Sequence, residues 1–337
     1  MGQTVAEAGA LLRCLRMGTG LPAAAVAAWR SLPALSEAYE HVVAPMLDDT
    51  LTDPAERARI AVSLRATSVK YGIAVLGYAR LAGRAPQLDV AVLAGAVTRL
   101  YDDLIDTDCD PAADARLGEL LGNRPFVAAT EAELLLGRLV YDIERRLRHP
   151  PDASVFTALV SLHEYQTLSR RQRDPDVPLD VLEKITRGKG SAANLVLCGL
   201  VTPRLDLAER ELAVELGETL QCLDDYMDVE LDRGNGVTTL PSLGVVTLPD
   251  IAGRLRSLRP RLAACYGRRA AGPYCGMLYF LLVKSWVGRR LPLLGRLAAG
   301  PARRSSVLAF LARGQDALPA ARPARTPAEA APAREAG

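Results

Sequence analysis

The chain has 337 residues, 49% of them hydrophobic and 24% charged, with 41 basic against 39 acidic side chains and a formal net charge of +2. That length buries a large core as one big domain or two modest ones, and the near-neutral balance excludes both a nucleic-acid binder and a disordered acidic protein. Only 4 of the 41 basic residues are lysine, a skew attributed to GC-rich coding, and aromatics are sparse at 5%.

Apolar residues recur at helical spacing almost throughout, which predicts an all-α protein. Residues 4–16 and 22–47 read as amphipathic segments punctuated by Gly18, Gly20, Pro22 and Pro33. A long helix is expected over 55–82, ended by Gly83 and Pro86, and another over 87–107. Further helices read at 128–148, 153–173, 178–201, 206–233, 248–268 and 274–292, with a last one near 303–314. Prolines 150, 151, 175, 178, 203, 241 and 249 supply the breaks. The domain is taken as 1–318, and the Pro/Ala/Arg-rich tail 319–337 as disordered.

The six cysteines (14, 109, 198, 222, 265, 275) form no CxxC pair and are read as buried thiols of a reducing cytosol. Neither a signal peptide nor an apolar run of the ~18–20 residues a membrane span needs is found. The expectation is a soluble cytoplasmic protein. His41, His149 and His163 show no metal spacing and are read as structural.

Two acid clusters stand out. Asp224, Asp228 and Asp232 recur at i, i+4 and i+8 with Asp225 alongside, before a break at Gly234, Asn235 and Gly236. On a helix the three lie within about 80° of one face and span ~12 Å. Like charges so stacked destabilise a helix unless neutralised. Mg²⁺ does this well, since it takes one or two carboxylates together with waters and phosphate oxygens. Upstream, Asp102, Asp103 and Asp106 close the helix over 87–107, at an end whose dipole favours cations. Each cluster follows apolar helix: Val92, Leu93, Val97 and Leu100 before the first, Leu216, Leu220 and Leu223 before the second. Acid at a rim with hydrocarbon beneath suits a ligand with an anionic head and a greasy tail.

The run Leu216, Gly217, Gln221, Asp224, Asp225, Asp228, Val229 closely resembles the second aspartate-rich motif of trans-polyprenyl synthetases. Leu100 through Asp106 resembles their first. Tyr165–Gln166 looks like the family's glycine–glutamine pair with the glycine replaced, and Lys189–Gly190 like its lysine–threonine pair with the threonine replaced. Thr239, Leu240 and Pro241 also look familiar. The likeness spans roughly residues 55–292 and is to the class I isoprenoid synthase superfamily, which holds chain-elongating prenyltransferases and terpene cyclases. It implies a helical bundle around a central apolar cavity, a prenyl diphosphate substrate, three bridging Mg²⁺ ions and a homodimer. It further implies metal ligands Asp102, Asp103, Asp106, Asp224, Asp225, Asp228 and Asp232, of which Asp102, Asp106, Asp224 and Asp228 carry the ionisation. Gln166, Lys189, Gln221 and Arg233 would contact substrate.

Elongating members carry a Gly-Gly-Lys stretch about forty residues before the first motif; here that region is Ala55, Glu56, Arg57, Ala58, Arg59, Ile60. They also carry an Arg-Arg pair soon after it, where this chain has only Arg116. A second diphosphate therefore lacks most of its expected cations. That favours ionisation of one diphosphate followed by cyclisation or elimination, with elongation or transfer to an acceptor without a diphosphate as the alternative. Against cyclisation stand the DDxxD form of the second motif and the scarcity of aromatics to face a cation, although Tyr101, Tyr165, Tyr226, Tyr279, Phe280 and Trp286 remain. A non-catalytic partner of an active synthase is the reading from another class, but it does not need intact acid clusters.

Arg170, Arg171 and Arg173 follow Gln166, where cations also suit a helix end. Lys284, Arg289 and Arg290 are read as solvent-facing cations in preference to diphosphate contacts. Val97 and Thr98, five and four residues before Asp102, are small where a bulky aromatic would close the pocket floor. The expected tail is therefore long, geranylgeranyl or larger.

Overall fold

The computed structural model describes residues 2–17, 21–107, 110–148 and 153–290. The expected last helix, the tail, Cys109 and His149 lie outside them. All regular structure within them is helical: α1 (Gly2–Met17), α2 (Leu21–Val42), α3 (Ala44–Thr50), α4 (Pro54–Leu81), α5 (Leu88–Thr107), α6 (Pro111–Leu121), α7 (Glu131–Arg146), α8 (Ala153–Ser169), a 3₁₀ turn (Arg170–Arg173), α9 (Leu179–Val201), α10 (Leu207–Gly234), α11 (Leu248–Tyr266) and α12 (Arg268–Arg290).

Local chemistry explains where these start and stop. Asp53 caps α4 by accepting from Ala55 N at 2.9 Å, with Pro54 in the first turn, where its missing N–H costs nothing. Asp206 and Glu209 form a reciprocal capping box on α10. Gly83, at φ 64°, takes the chain out of α4 through a backbone region that suits glycine.

Several boundaries differ from the expected ones. The segment 22–47 divides at Val43 into α2 and α3, with a proline in the first turn of α3. Helix α6 is an addition to the expected set; Asp110 accepting from Ala112 N, followed by Pro111, starts it. The last turn of 153–173 tightens into 3₁₀, and α12 begins at Arg268, six residues earlier than expected, directly after Gly267 at φ 82°. Cys265 is exposed, which corrects the expectation of uniformly buried thiols; Cys14, Cys198, Cys222 and Cys275 are buried.

Two apolar clusters hold the bundle. One joins Leu216 and Leu223 of α10 with Ile251 and Leu255 of α11 and with Leu278, Tyr279 and Leu282 of α12. The other joins Leu35 of α2, Leu64 and Leu76 of α4, Leu93 and Leu100 of α5, and Leu135 and Leu139 of α7. Helix α4 belongs to both, giving Tyr78 and Leu81 to the first and Ile60 through Leu76 to the second. By length and composition alone α4 is apolar enough to cross a bilayer, with a mean hydropathy of 1.2 over its best window. Its place in both clusters accounts for that composition as a core helix.

Helices α6 and α7 are joined by Arg116, whose Nη2 donates to the buried Glu133 at 2.7 Å and whose Nε donates at 3.0 Å. Arg116 holds the Glu133 carboxyl below its usual range. Arg116→Ala leaves that carboxylate with the 2.7 Å hydrogen bond from Ala129 N but without its cation, and is expected to cost about 1.5–3 kcal/mol, read from urea denaturation at pH 7. A depressed folded value stabilises above the unfolded one and is lost as pH falls through it. The gap between variant and parent should therefore narrow below about pH 4.

Candidate active site

Helix α5 carries a buried apolar stripe of Val92, Leu93, Ala96 and Leu100 up to its acid cluster. Asp102 is half-buried there, and its Oδ1 accepts from Gln166 Nε2 of α8 at 3.0 Å. Tyr101 ties the same helices together through a 2.9 Å hydrogen bond between its hydroxyl and His163 Nδ1. Burial lowers the His163 pKa, in keeping with the structural role expected of it. Arg170 Nη2 donates to Ile105 O at 2.9 Å and to Asp114 Oδ1 at 2.8 Å, so this cation caps the carbonyl end of α5. Asp103 points elsewhere. One residue on, and hence about 100° around the helix, it pairs with Arg99 one turn back.

Helix α10 is fixed against α9 by the closest backbone approach at any described glycine. A Cβ at Gly190 would lie 2.3 Å from Gly217 O, and one at Gly217 would lie 2.2 Å from Gly190 O. This crossing explains the glycine in each of the two motifs. It also sets Lys189 beside the acid face of α10. Asp225 is buried there, accepting from Gln221 Nε2 at 2.8 Å and, at the 3.5 Å limit, from Thr186 Oγ1 of α9. Gln221 therefore orients a carboxylate. Asp224 is more open, with its Oδ1 4.0 Å from Lys70 Nζ of α4.

The α10 cluster reaches the α5 one. Burial pushes the Asp102 carboxyl up to about 7; Asp106 and Asp224 add to this, while Lys189 and Arg99 oppose it. Burial likewise pushes Asp232 up to about 7, helped by Asp225, Asp228 and Asp224 and opposed by Lys189. Asp225 rises to about 6, again first by burial, with Gln221 opposing. Acids of α5 and α10 thus face a shared space with Lys189 between them. Tyr71 of α4 also faces it: burial, then Asp102 and Asp224, raise its pKa, which keeps the phenol protonated.

Not every expected residue joins this space. Arg233 lies nine residues after Asp224, about 180° around α10. It binds Glu230 Oε1 at 3.2 Å and Ser242 O at 3.2 Å, and with Tyr226 and Arg289 lines a separate cavity of about 330 Å³. Arg289, expected to face solvent, instead lies over the Tyr226 ring at 4.4 Å from its centroid. Thr98 turns its hydroxyl back onto Ala94 O at 2.9 Å, presenting its methyl group, and Val97 packs with the α2–α4–α5 cluster. The basic residues near the missing motif are locally engaged, Arg57 with Asp48 at 3.7 Å and Arg59 with Glu56 at 3.9 Å. Lys70, Tyr71 and Thr186 carry no sequence signal because they arrive from helices without an acid motif.

Among the described residues no group of three or more His, Cys, Asp or Glu side chains is placed to hold a metal by itself. Such a cage is not what Mg²⁺ requires, since it takes one or two carboxylates and completes its octahedron with water and phosphate. Hard carboxylate oxygens, without thiol or imidazole, fit that ion.

No family model matches the sequence, and no curated protein does. Among solved structures, one match is a crystal structure from Marinomonas sp. MED121 provisionally assigned as a farnesyl-diphosphate synthase. It is 17% identical, with a TM-score of 0.42, over 76% of this chain and 98% of that one. A likeness that distant carries no argument about activity.

Proposed function

We propose that this protein is a Mg²⁺-dependent class I isoprenoid synthase that ionises one allylic prenyl diphosphate, followed by cyclisation or elimination. The observation that carries the reading is the approach of Asp224 on α10 to Asp102 on α5, whose carboxyl it helps to raise, with Lys189 close enough to oppose it. Asp102 and Asp106 on one side, and Asp224, Asp228 and Asp232 on the other, would hold the metal. Bound Mg²⁺ supplies Lewis-acid neutralisation of the charge building on the departing diphosphate.

The protein's own groups do the rest. Gln166 fixes Asp102, while Gln221 and Thr186 fix Asp225, so the carboxylates are oriented before substrate arrives. Lys189 offers a compact point charge to phosphate oxygen. The commitment of Arg116 to the buried Glu133 supports use of a single diphosphate.

The test is incubation with an allylic diphosphate, with Mg²⁺ or with EDTA, and analysis of extracted hydrocarbon by gas chromatography. Hydrocarbon formed only with Mg²⁺ is expected. Longer diphosphates formed only when isopentenyl diphosphate is added would establish elongation instead. Thr98→Phe, one turn before Asp102, should shift preference toward shorter diphosphates, whereas Val97→Phe, in the α2–α4–α5 cluster, should act on stability instead; unchanged selectivity in Thr98→Phe would remove that residue from the pocket floor.

A further inference from the structure

Three of the four lysines of this arginine-rich chain gather at the acid site. Lys189 stands between the clusters, Lys70 Nζ lies 4.0 Å from Asp224 Oδ1, and Lys284 comes in from α12. The register of α4 against α12 brings the last two together. A Cβ at Gly77 would lie 2.9 Å from Met277 Cε and 3.8 Å from the Tyr274 ring, which fixes one level of the crossing. Seven residues away on each helix, about two turns or ~10 Å, stand Lys70 and Lys284.

Lys284 is half-buried, which corrects its expected solvent-facing place. Among the described residues no carboxylate comes within 4.0 Å of it, whereas Lys70 does have Asp224. Burial, then the neighbouring Lys70, lowers the Lys284 pKa, in line with that register. A half-buried cation beside a second one is costly unless an anion sits with them. Asp224 is the acid that Lys70 reaches, and a divalent ion bound there would compete for it. Lys184, the fourth lysine, is exposed on the outer face of α9 and shows what a merely solvated lysine looks like in this chain.

We propose that Lys70 and Lys284 form an anion-binding pair on the α4–α12 wall of the site, taking the phosphate groups of an organic diphosphate. The identity of the anion rests on the proposed function; the pairing of the lysines does not. An ammonium with three rotatable donors suits tetrahedral phosphate as a compact point charge. The diphosphate is either that of the ionising substrate, gripped from the side away from the acids, or that of a second substrate.

Calorimetric titration of inorganic pyrophosphate into the full chain separates these cases. In EDTA, Lys70→Gln and Lys284→Gln should each weaken binding about tenfold or more, Lys284→Arg should retain it, and Lys184→Gln should match the parent. Because no metal is present, this arm is independent of the Mg²⁺ reading: metal-dependent binding that ignores both lysines would overturn the pair and leave that reading intact. With Mg²⁺, one pyrophosphate per chain identifies the ionising substrate's own diphosphate, and two identify a second diphosphate. Circular dichroism of each variant shows that it is folded. Parent-like affinity in folded Lys70→Gln and Lys284→Gln sinks the proposal, as does equal loss in Lys284→Arg and Lys284→Gln.

Discussion

Asp102→Asn is expected to lower turnover of an allylic diphosphate by about 10³-fold, the scale on which one preorganised electrostatic contact acts in a closed site. The fold should survive, because asparagine Oδ1 can still accept the 3.0 Å hydrogen bond from Gln166 Nε2. One negative charge also leaves a space shared with Asp106 and Asp224. Without metal the variant should therefore melt no lower than the parent. Added Mg²⁺ together with pyrophosphate should raise the parent's melting temperature and leave the variant's nearly unmoved. Asp224→Asn is expected to behave alike, whereas Asp103→Asn, whose carboxylate is already taken by Arg99, should cost far less. Parent-like turnover by Asp102→Asn would eliminate the ionisation mechanism and favour a non-catalytic partner role.

Gly190→Ala should be among the most damaging single methyl groups in the chain. Its Cβ meets the Gly217 carbonyl oxygen at 2.3 Å and the Gln221 Cβ at 2.8 Å, so backbone must move and no side-chain rotation relieves the clash. A stability loss of about 3 kcal/mol or more is expected, at the upper end for overpacking. The same movement carries Lys189 and Asp225 away from their partners, and a shift of about 1 Å costs on the order of 10² in rate. Gly253→Ala is the matched control. It lies inside α11, where a Cβ meets only Arg256 Nη2 at 3.9 Å, and alanine there should stabilise by about 0.5–1 kcal/mol. Comparable destabilisation of both variants would mean that the α9–α10 crossing is not the constraint described.

The helices were legible because their apolar period is strong and their caps are local: Asp53 with Pro54, or Asp206 with Glu209, announce themselves within four residues. Helix α6 carries the same local signal in Asp110 and Pro111, but at 11 residues its apolar period is short. Within the acid clusters, two refinements were also available from helical phase alone. Arg99 stands one turn before Asp103 and claims it, and Arg233 stands half a revolution from Asp224 and cannot share its face. The contributions of Lys70, Tyr71, Thr186 and Lys284 had no such local signal. They depend on how α4, α9 and α12 pack beside α10, and those crossings are set by bare glycine contacts whose partners lie far away in sequence.

The membership of α4 in both apolar clusters has a consequence for how the molecule comes apart. A bundle with two separate cores can open one while the other stays closed, and such sub-global openings dominate amide exchange. Here neither core can shed α4 without exposing the other's side chains, from Ile60 and Leu64 at one end to Tyr78 and Leu81 at the other. The central amides of α4 should therefore exchange only with the whole molecule, and the two halves should report a single opening free energy.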